Sequence, residues 1–280
     1  MSQSTVTLRE KPFKLFERSC LEGCEKEGKE KQTPFVDFSV SMTNSCNANC
    51  LFCCNAGKKE FKFDVEAFKD FFDETRGTIP VNKVTFTGGE PTLRLKELHE
   101  CLDHIRGKCG LITVNTNGSR LAEMNHPAIH RIALSRHHYS DKVNDEIFGL
   151  KIGNPLIGSE LKFKIALVCN LIKNRIDSAA EAYKMLEFAA NNGIEDMSFV
   201  GLMIFNDFCR ANQIPLESLQ FGKDVLCTRR LSYEVPGICH CSNHIYVANN
   251  GEIVHYYMRH NMKPDFDKGS RVVWENNKIG

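Results

Sequence analysis

Cys46-Asn47-Ala48-Asn49-Cys50-Leu51-Phe52-Cys53 is the segment on which the reading of this chain turns. It places three thiols within eight residues. A loop this short lets several sulfurs converge on one centre and suits a metal site better than disulfides. Soft thiolate ligands select zinc, copper(I) or iron–sulfur clusters. A structural zinc would want a fourth ligand. A cubane held by three cysteines would leave one of its four irons open to bind something else.

The residues on either side set the frame. Phe35 to Val40 alternates apolar and polar residues, as a strand does. Asp64 to Thr75 reads as a helix with Asp64 as its N-cap. Strand patterns recur at Lys83–Phe86, Leu111–Val114, Ile129–Leu134, Lys162–Cys169 and Met197–Val200, with helices at Leu95–Ile105, near Asn144–Phe148 and at Ser178–Asn191. Strand then helix, repeated about six times, argues for a parallel sheet with helices on its outer side. In such sheets the chemistry gathers at the C-terminal strand ends.

Those ends carry the other motifs. Thr87-Gly88-Gly89-Glu90-Pro91 ends the second strand; two glycines permit close backbone approach, and Glu90 offers an acceptor for an ammonium group. Asn115-Thr116-Asn117-Gly118 ends the third, and Ser135-Arg136-His137-His138 the fourth. Read singly, these are also a Gly-Gly turn before a helix opened by proline, an Asn-Gly turn and an exposed polar turn. The two histidines stand where they could touch a substrate.

Together the motifs resemble the radical S-adenosylmethionine (radical SAM) superfamily, over about residues 35–205. The nearest pattern is the subgroup of the molybdenum-cofactor GTP 3′,8-cyclase. The resemblance implies that Cys46, Cys50 and Cys53 hold a [4Fe–4S] cluster, with Phe52 the aromatic usual before the third cysteine. It implies that Gly88, Gly89, Glu90, Thr116, Asn117, Ser135 and Arg136 bind S-adenosylmethionine. One electron would cleave that cofactor to methionine and a 5′-deoxyadenosyl radical, which abstracts hydrogen from the substrate. Where the subgroup continues Leu-Asp after its fourth strand, this chain has Arg136-His137-His138-Tyr139. The end, Lys278-Ile279-Gly280, lacks the cyclase's paired glycines, so molybdenum cofactor synthesis is not expected.

The expected architecture is α/β: a partial (β/α)6 barrel over residues 34–224, a peripheral extension at 1–33, and a small cysteine-containing hairpin unit at 225–280. Asn250-Gly251 between apolar runs marks the hairpin turn. Cys227, Cys239 and Cys241 in that unit allow three readings. The first is a second, auxiliary [4Fe–4S] cluster, with Cys209, another residue or substrate as fourth ligand. The second is a Cys3His zinc site with His244. The third is a thiol hydrogen donor. Cys20 and Cys24 read as reduced thiols on a peripheral helix, and Cys101, Cys109 and Cys169 as small core residues.

Composition narrows the function classes. Thirteen cysteines in 280 residues are too few for a small disulfide scaffold, and the start shows no secretory signal, so a reducing cytoplasmic setting is expected. No run reaches the length of a membrane span. Lys and Arg total 36 against 35 for Asp and Glu, which writes no bulk attraction to nucleic acid into the chain. The expected activity is hydrogen abstraction from a small molecule such as a nucleotide or sugar, ending in epimerisation, dehydrogenation or carbon–carbon bond formation. An external one-electron donor such as flavodoxin or ferredoxin is implied. The competing readings are a peptide-modifying radical SAM enzyme and a non-catalytic zinc module.

Overall fold

The computed structural model describes residues 36–216, 219, 226–227, 243–259, 270–275 and 277–279. Its strands are β1 (Val36–Ser41), β2 (Val81–Thr87), β3 (Leu111–Thr116), β4 (Arg131–Ser135), β5 (Ile165–Leu171), β6 (Asp196–Gly201), β7 (Leu226–Cys227), β8 (Asn243–Val247), β9 (Ile253–Arg259), β10 (Ser270–Glu275) and β11 (Lys278–Ile279). Its α-helices are α1 (Val65–Thr78), α2 (Leu95–Ile105), α3 (Asp141–Phe148), α4 (Ala179–Asn191) and α5 (Asp207–Asn212). Among the described residues no helix is long and apolar enough to cross a membrane.

All the strands join one open sheet, ordered β11-β10-β1-β2-β3-β4-β5-β6-β9-β8-β7. From β10 to β9 the neighbours run parallel. Alternation along each strand divides the residues between two faces. Phe38 and Val40 of β1 and Val84 and Phe86 of β2 are buried toward the helices, where Phe38 meets Phe72 and Phe86 meets Phe68. The other face carries Ser39, Ser41, Thr113 and Ser198, all buried despite facing away from that core. Arg131 on β4 hydrogen-bonds the Tyr257 hydroxyl on β9, three strands away. A flat sheet would hold those strands about 14 Å apart with both side chains pointing straight out, so the contact requires a curled sheet. The result is a partial barrel.

Local sequence explains the helix ends. The Asp64 carboxylate accepts the Ala67 N–H at 3.0 Å, as an N-cap does. Ser178 caps α4 by accepting from the Glu181 N–H at 3.3 Å. At Lys162–Lys164 the chain makes a 3-10 turn, closed by Lys164 N–H to the Leu161 carbonyl at 2.8 Å, so β5 starts later than the apolar pattern suggested.

The C-terminal segment differs most from expectation. The hairpin forms, with β8 antiparallel to β9 across the Asn250-Gly251 turn. It does not stand apart, because β9 lies along β6 and β10 lies along β1. Trp274 of β10 stacks on Phe71 of α1 at 4.8 Å. Beyond it, Asn277 accepts the Asp64 N–H at 2.8 Å and donates to the Lys62 carbonyl at 2.8 Å, while Lys58 pairs with Glu275 at 2.9 Å. The end of the sheet thereby braces the chain that leaves the cysteine loop. Cys20, Cys24, Cys239 and Cys241 lie outside the described residues, and of Cys227 only the backbone, in β7, is described.

Candidate functional site

The cysteine loop leaves β1 and crosses the C-terminal strand ends, held from several sides. Asn55 donates to the Gly88 carbonyl at 2.6 Å after β2. Asn117 after β3 donates to Asn47 Oδ1 at 2.8 Å, and Asn47 donates to the Ser119 hydroxyl at 2.8 Å. The Asn49 N–H bonds the Phe148 carbonyl at the end of α3 at 2.7 Å. Asn206, the N-cap of α5, donates to the Leu51 carbonyl at 2.9 Å. A loop with so few regular bonds of its own is thus ordered by its neighbours.

Gly88 and Gly89 have a steric reason to be glycine. Gly88 sits at φ 131°, and a Cβ there would press on the Thr43 backbone. A Cβ on Gly89 would overlap the Ser45 carbonyl and come within 2.8 Å of the Asn44 oxygen. The Gly89 and Glu90 N–H groups bond the Thr43 and Ser45 carbonyls at 2.7 and 2.9 Å. The backbone that approaches these glycines is the chain's own entry into the cysteine loop.

Glu90, which follows β2, is held by donors of the chain itself. Its carboxylate is 1% exposed and accepts from the Thr92 N–H and hydroxyl, the Thr116 hydroxyl at 2.8 Å and the Asn117 N–H at 2.7 Å. These donors tie the ends of β2 and β3 together, three of them on Oε1 and the Asn117 N–H alone on Oε2. Asn117 is thereby aimed at the loop, its amide 3.9 Å from the Cys46 sulfur.

Arg136 is held by its own segment. Its guanidinium bonds the carbonyls of His138, Tyr139 and Gly153, pairs with Asp141, and lies 4.5 Å over the Phe188 ring on the helix side. It is 1% exposed and serves its own segment. His137 and His138, which could have met a substrate, are buried as well. Each ring accepts a backbone N–H at Nδ1, His137 from Asn170 and His138 from Ser140, both at 3.0 Å. Burial, with the Arg136 charge adding to it, lowers the His137 pKa to about 3, so that ring is neutral at pH 7. It packs edge-on against Phe52 at 5.0 Å and so props the cysteine loop from below. Ser135 ends β4, half-buried, on the interior face.

A family model for the radical SAM superfamily matches residues 40–208. The chain belongs to the radical SAM superfamily. Relatives named "Probable GTP 3′,8-cyclase" are similar to it: one from Thermococcus kodakarensis is 28% identical over 169 residues, 57% of this chain and 55% of its own length. One from Saccharolobus solfataricus is 27% identical over 183 residues, 60% and 58% of the two chains. This chain therefore spans little more than half the length of those curated relatives. Among solved structures, Streptococcus suis SuiB bound to S-adenosylmethionine superposes with TM-score 0.53 at 16% identity, covering 63% of this chain and 43% of that one. That likeness concerns the fold.

Membership in the radical SAM superfamily implies a [4Fe–4S] cluster and S-adenosylmethionine, and the loop's donor set fits the cluster. Cys46, Cys50 and Cys53 are free thiols. Burial first, and then the charges of neighbouring groups including each other's sulfurs, push Cys46 up and Cys50 to about 12. Iron binding must therefore displace protons, and the three sulfurs lie close enough to feel one another. Among the described residues no three His, Cys, Asp or Glu side chains converge on a single ion. A cluster that takes one thiolate per iron tolerates the wider spacing. N–H donors stand ready for the sulfurs: Ala48 to Cys46 and Asn55 to Cys53, both at 3.4 Å. Cys54 is exposed as a residue, but partial desolvation of its thiol, and then the Cys53 charge, raise its pKa.

Glu60 escaped the sequence reading, because nothing local marks it. Its carboxylate accepts from the Thr43 hydroxyl at 2.6 Å, the Asn44 N–H at 3.0 Å, the Ser45 N–H at 2.6 Å and the Ser45 hydroxyl at 2.9 Å. It also pairs with Arg94 at 3.1 Å. Burial pushes this carboxyl up, but the donors outweigh it and hold the pKa at about 2. Glu60 fastens the far end of the loop to its start. Glu60→Ala is expected to cut the iron retained after anaerobic reconstitution by more than half, with Glu60→Gln between it and wild type. Unchanged iron content would remove Glu60 from this role. Its folded pKa lies below the ordinary carboxylate value near 4.5, so its contribution is complete above that pH and is lost as pH falls through about 2.

Proposed function

We propose that the chain is an enzyme that cleaves S-adenosylmethionine reductively and takes hydrogen from a small-molecule substrate, a nucleotide, sugar or related metabolite. The observation that carries this reading is that the loop bearing Cys46, Cys50 and Cys53 is bonded to the Gly88 and Asn117 strand ends on one rim of a curled sheet. When bound, the cluster supplies the electron that breaks the cofactor's sulfonium bond. The chain's share is to hold the centre and the cofactor still and to keep water out. Asn117 donates toward Cys46, Glu90 locks the two strand ends, and the buried Ser41, Thr113 and Ser198 offer a polar but sheltered interior.

The name carried by the relatives supports a nucleotide within this class, and their greater length leaves their own reaction unassigned to this chain. We read Cys227, Cys239 and Cys241 as the seat of an auxiliary cluster, from their number and place in the sequence. Turnover of S-adenosylmethionine in the presence of fractionated cell extract tests the substrate class. The fraction below about 3 kDa is expected to stimulate it. Stimulation only by the retained peptides and proteins would favour a peptide-modifying enzyme instead.

A further inference from the structure

β3 buries two more threonine hydroxyls than its core requires, one on each face of the sheet. Thr116 turns its hydroxyl to the Glu90 carboxylate at 2.8 Å. Thr113 stands between Ile112 and Val114, which share the helix-side face with Val84 and Phe86, so its side chain points into the curl of the sheet. It is 4% exposed, and its hydroxyl has no hydrogen-bond partner among the described residues. Ser198 on the same interior face differs, because its hydroxyl donates to the Leu167 carbonyl at 3.5 Å.

A buried hydroxyl left unpaired costs stability, and folded chains pair nearly all of them. Valine would fill the same space without that cost, so the hydroxyl of Thr113 points to a partner from outside the polypeptide. Its neighbours indicate the chemistry of that partner. Strand register aligns Ser39, Thr85, Thr113 and Arg131 in one row across β1 to β4. Each hydroxyl of the row can both donate and accept, as the hydroxyls of a sugar do. An anion would call for cations set aside for it, and Arg131 is bonded to the Tyr257 hydroxyl. An apolar ligand would leave Thr113 as unpaired as before. Ala133 and Ala166, in register with each other one row nearer the rim, keep side-chain bulk off the wall. Thr113 precedes Thr116 at that rim by about 10 Å of strand, a depth that a molecule lying beneath the cysteine loop would reach with its far end.

We propose that Thr113 determines substrate specificity by hydrogen-bonding a hydroxyl of a sugar ring in the substrate. The proposal rests on the reading of the chain as an enzyme that cleaves S-adenosylmethionine and takes hydrogen from a small molecule, and it names the class of that molecule as one that carries a sugar or ribose ring. A site built around a substrate hydroxyl rejects an analogue that lacks it, because the buried group is then left unpaired.

The test compares wild type, Thr113→Val and Thr113→Ser, each reconstituted anaerobically and reduced with dithionite. The probe is the low-molecular-mass fraction of cell extract, used as such and after quenched treatment with periodate, which cleaves adjacent ring hydroxyls. Valine keeps the branched shape that suits the strand, so the Tm of Thr113→Val without the fraction should hold or rise. The amount of fraction that half-maximally stimulates 5′-deoxyadenosine formation should increase about tenfold in Thr113→Val, with the rate recovered at saturation, and return close to wild type in Thr113→Ser. Periodate treatment should abolish the stimulation. A Tm lowered by about 2–4 °C in Thr113→Val would reveal a partner within the protein and overturn the proposal. Equal half-stimulating amounts in wild type and Thr113→Val, the result if the hydroxyl holds a resident water only, would overturn it too. So would stimulation that survives periodate, or a fraction that leaves wild type unstimulated. A wild type that forms no 5′-deoxyadenosine under any of these conditions would instead strike at the radical SAM reading, so the two failures are distinguishable.

Discussion

Alanine at Cys46, Cys50 and Cys53 together is expected to remove about four irons and four sulfides per chain and to end all 5′-deoxyadenosine formation. The three thiols are the soft donors that the surrounding loop is built to present. Four neighbouring segments hold that loop in place, and backbone N–H groups already point at two of the sulfurs. The iron count on wild type answers a second question in the same preparation. About eight irons, with about four surviving in the triple variant, would place a second cluster on Cys227, Cys239 and Cys241. About four, with none surviving, would leave those residues to zinc or to thiol chemistry. A triple variant with undiminished iron and activity would refute the site.

Gly89→Ala is expected to do nearly as much damage without touching a ligand. Its new methyl would overlap the Ser45 carbonyl, next to Cys46, and neither backbone can withdraw without breaking the Glu90 N–H to Ser45 bond at 2.9 Å. Overpacking of this kind costs about 3 kcal/mol at its upper range, and here the strain falls on the start of the cysteine loop. Loss of most reconstituted iron and a fall in Tm of roughly 6–12 °C are the expected readings, at about 2–4 °C per kcal/mol for a chain of this size. Gly77→Ala is the control: nothing lies within 4 Å of its Cβ position, which sits in α1. It should raise stability by about 0.5–1 kcal/mol through helix propensity alone. A Gly89→Ala protein with full iron and wild-type Tm would show that the glycine is dispensable.

Much of this was legible in the residues, and the illegible parts share a cause. Helices and strands of the sheet show as apolar spacing, because each buries one stripe or one face. Cys46, Cys50, Cys53, Gly88 and Gly89 show because no other residue types meet those chemical and steric demands. What did not show depends on long-range closure. No local pattern says that β10 will lie along β1, or that Glu60 will reach back to Thr43 and Ser45. Nor can a strand-end motif reveal which way its charged residue turns. Glu90 and Arg136 were read as facing a cofactor, and the bonds they make to the chain's own polar groups left no trace in the sequence. His137 and His138 were legible as strand-end residues, but not as buried acceptors of backbone N–H groups.

The central claim is that the rim around Cys46–Cys53 binds S-adenosylmethionine beside a reducible cluster. Incubation of the anaerobically reconstituted protein with S-adenosylmethionine and dithionite, followed by measurement of 5′-deoxyadenosine and methionine, addresses it most directly. The account predicts both products in equal amounts, and neither from the Cys46/Cys50/Cys53→Ala variant. A reconstituted wild-type protein that holds no iron, or holds it and leaves S-adenosylmethionine intact, would contradict the account.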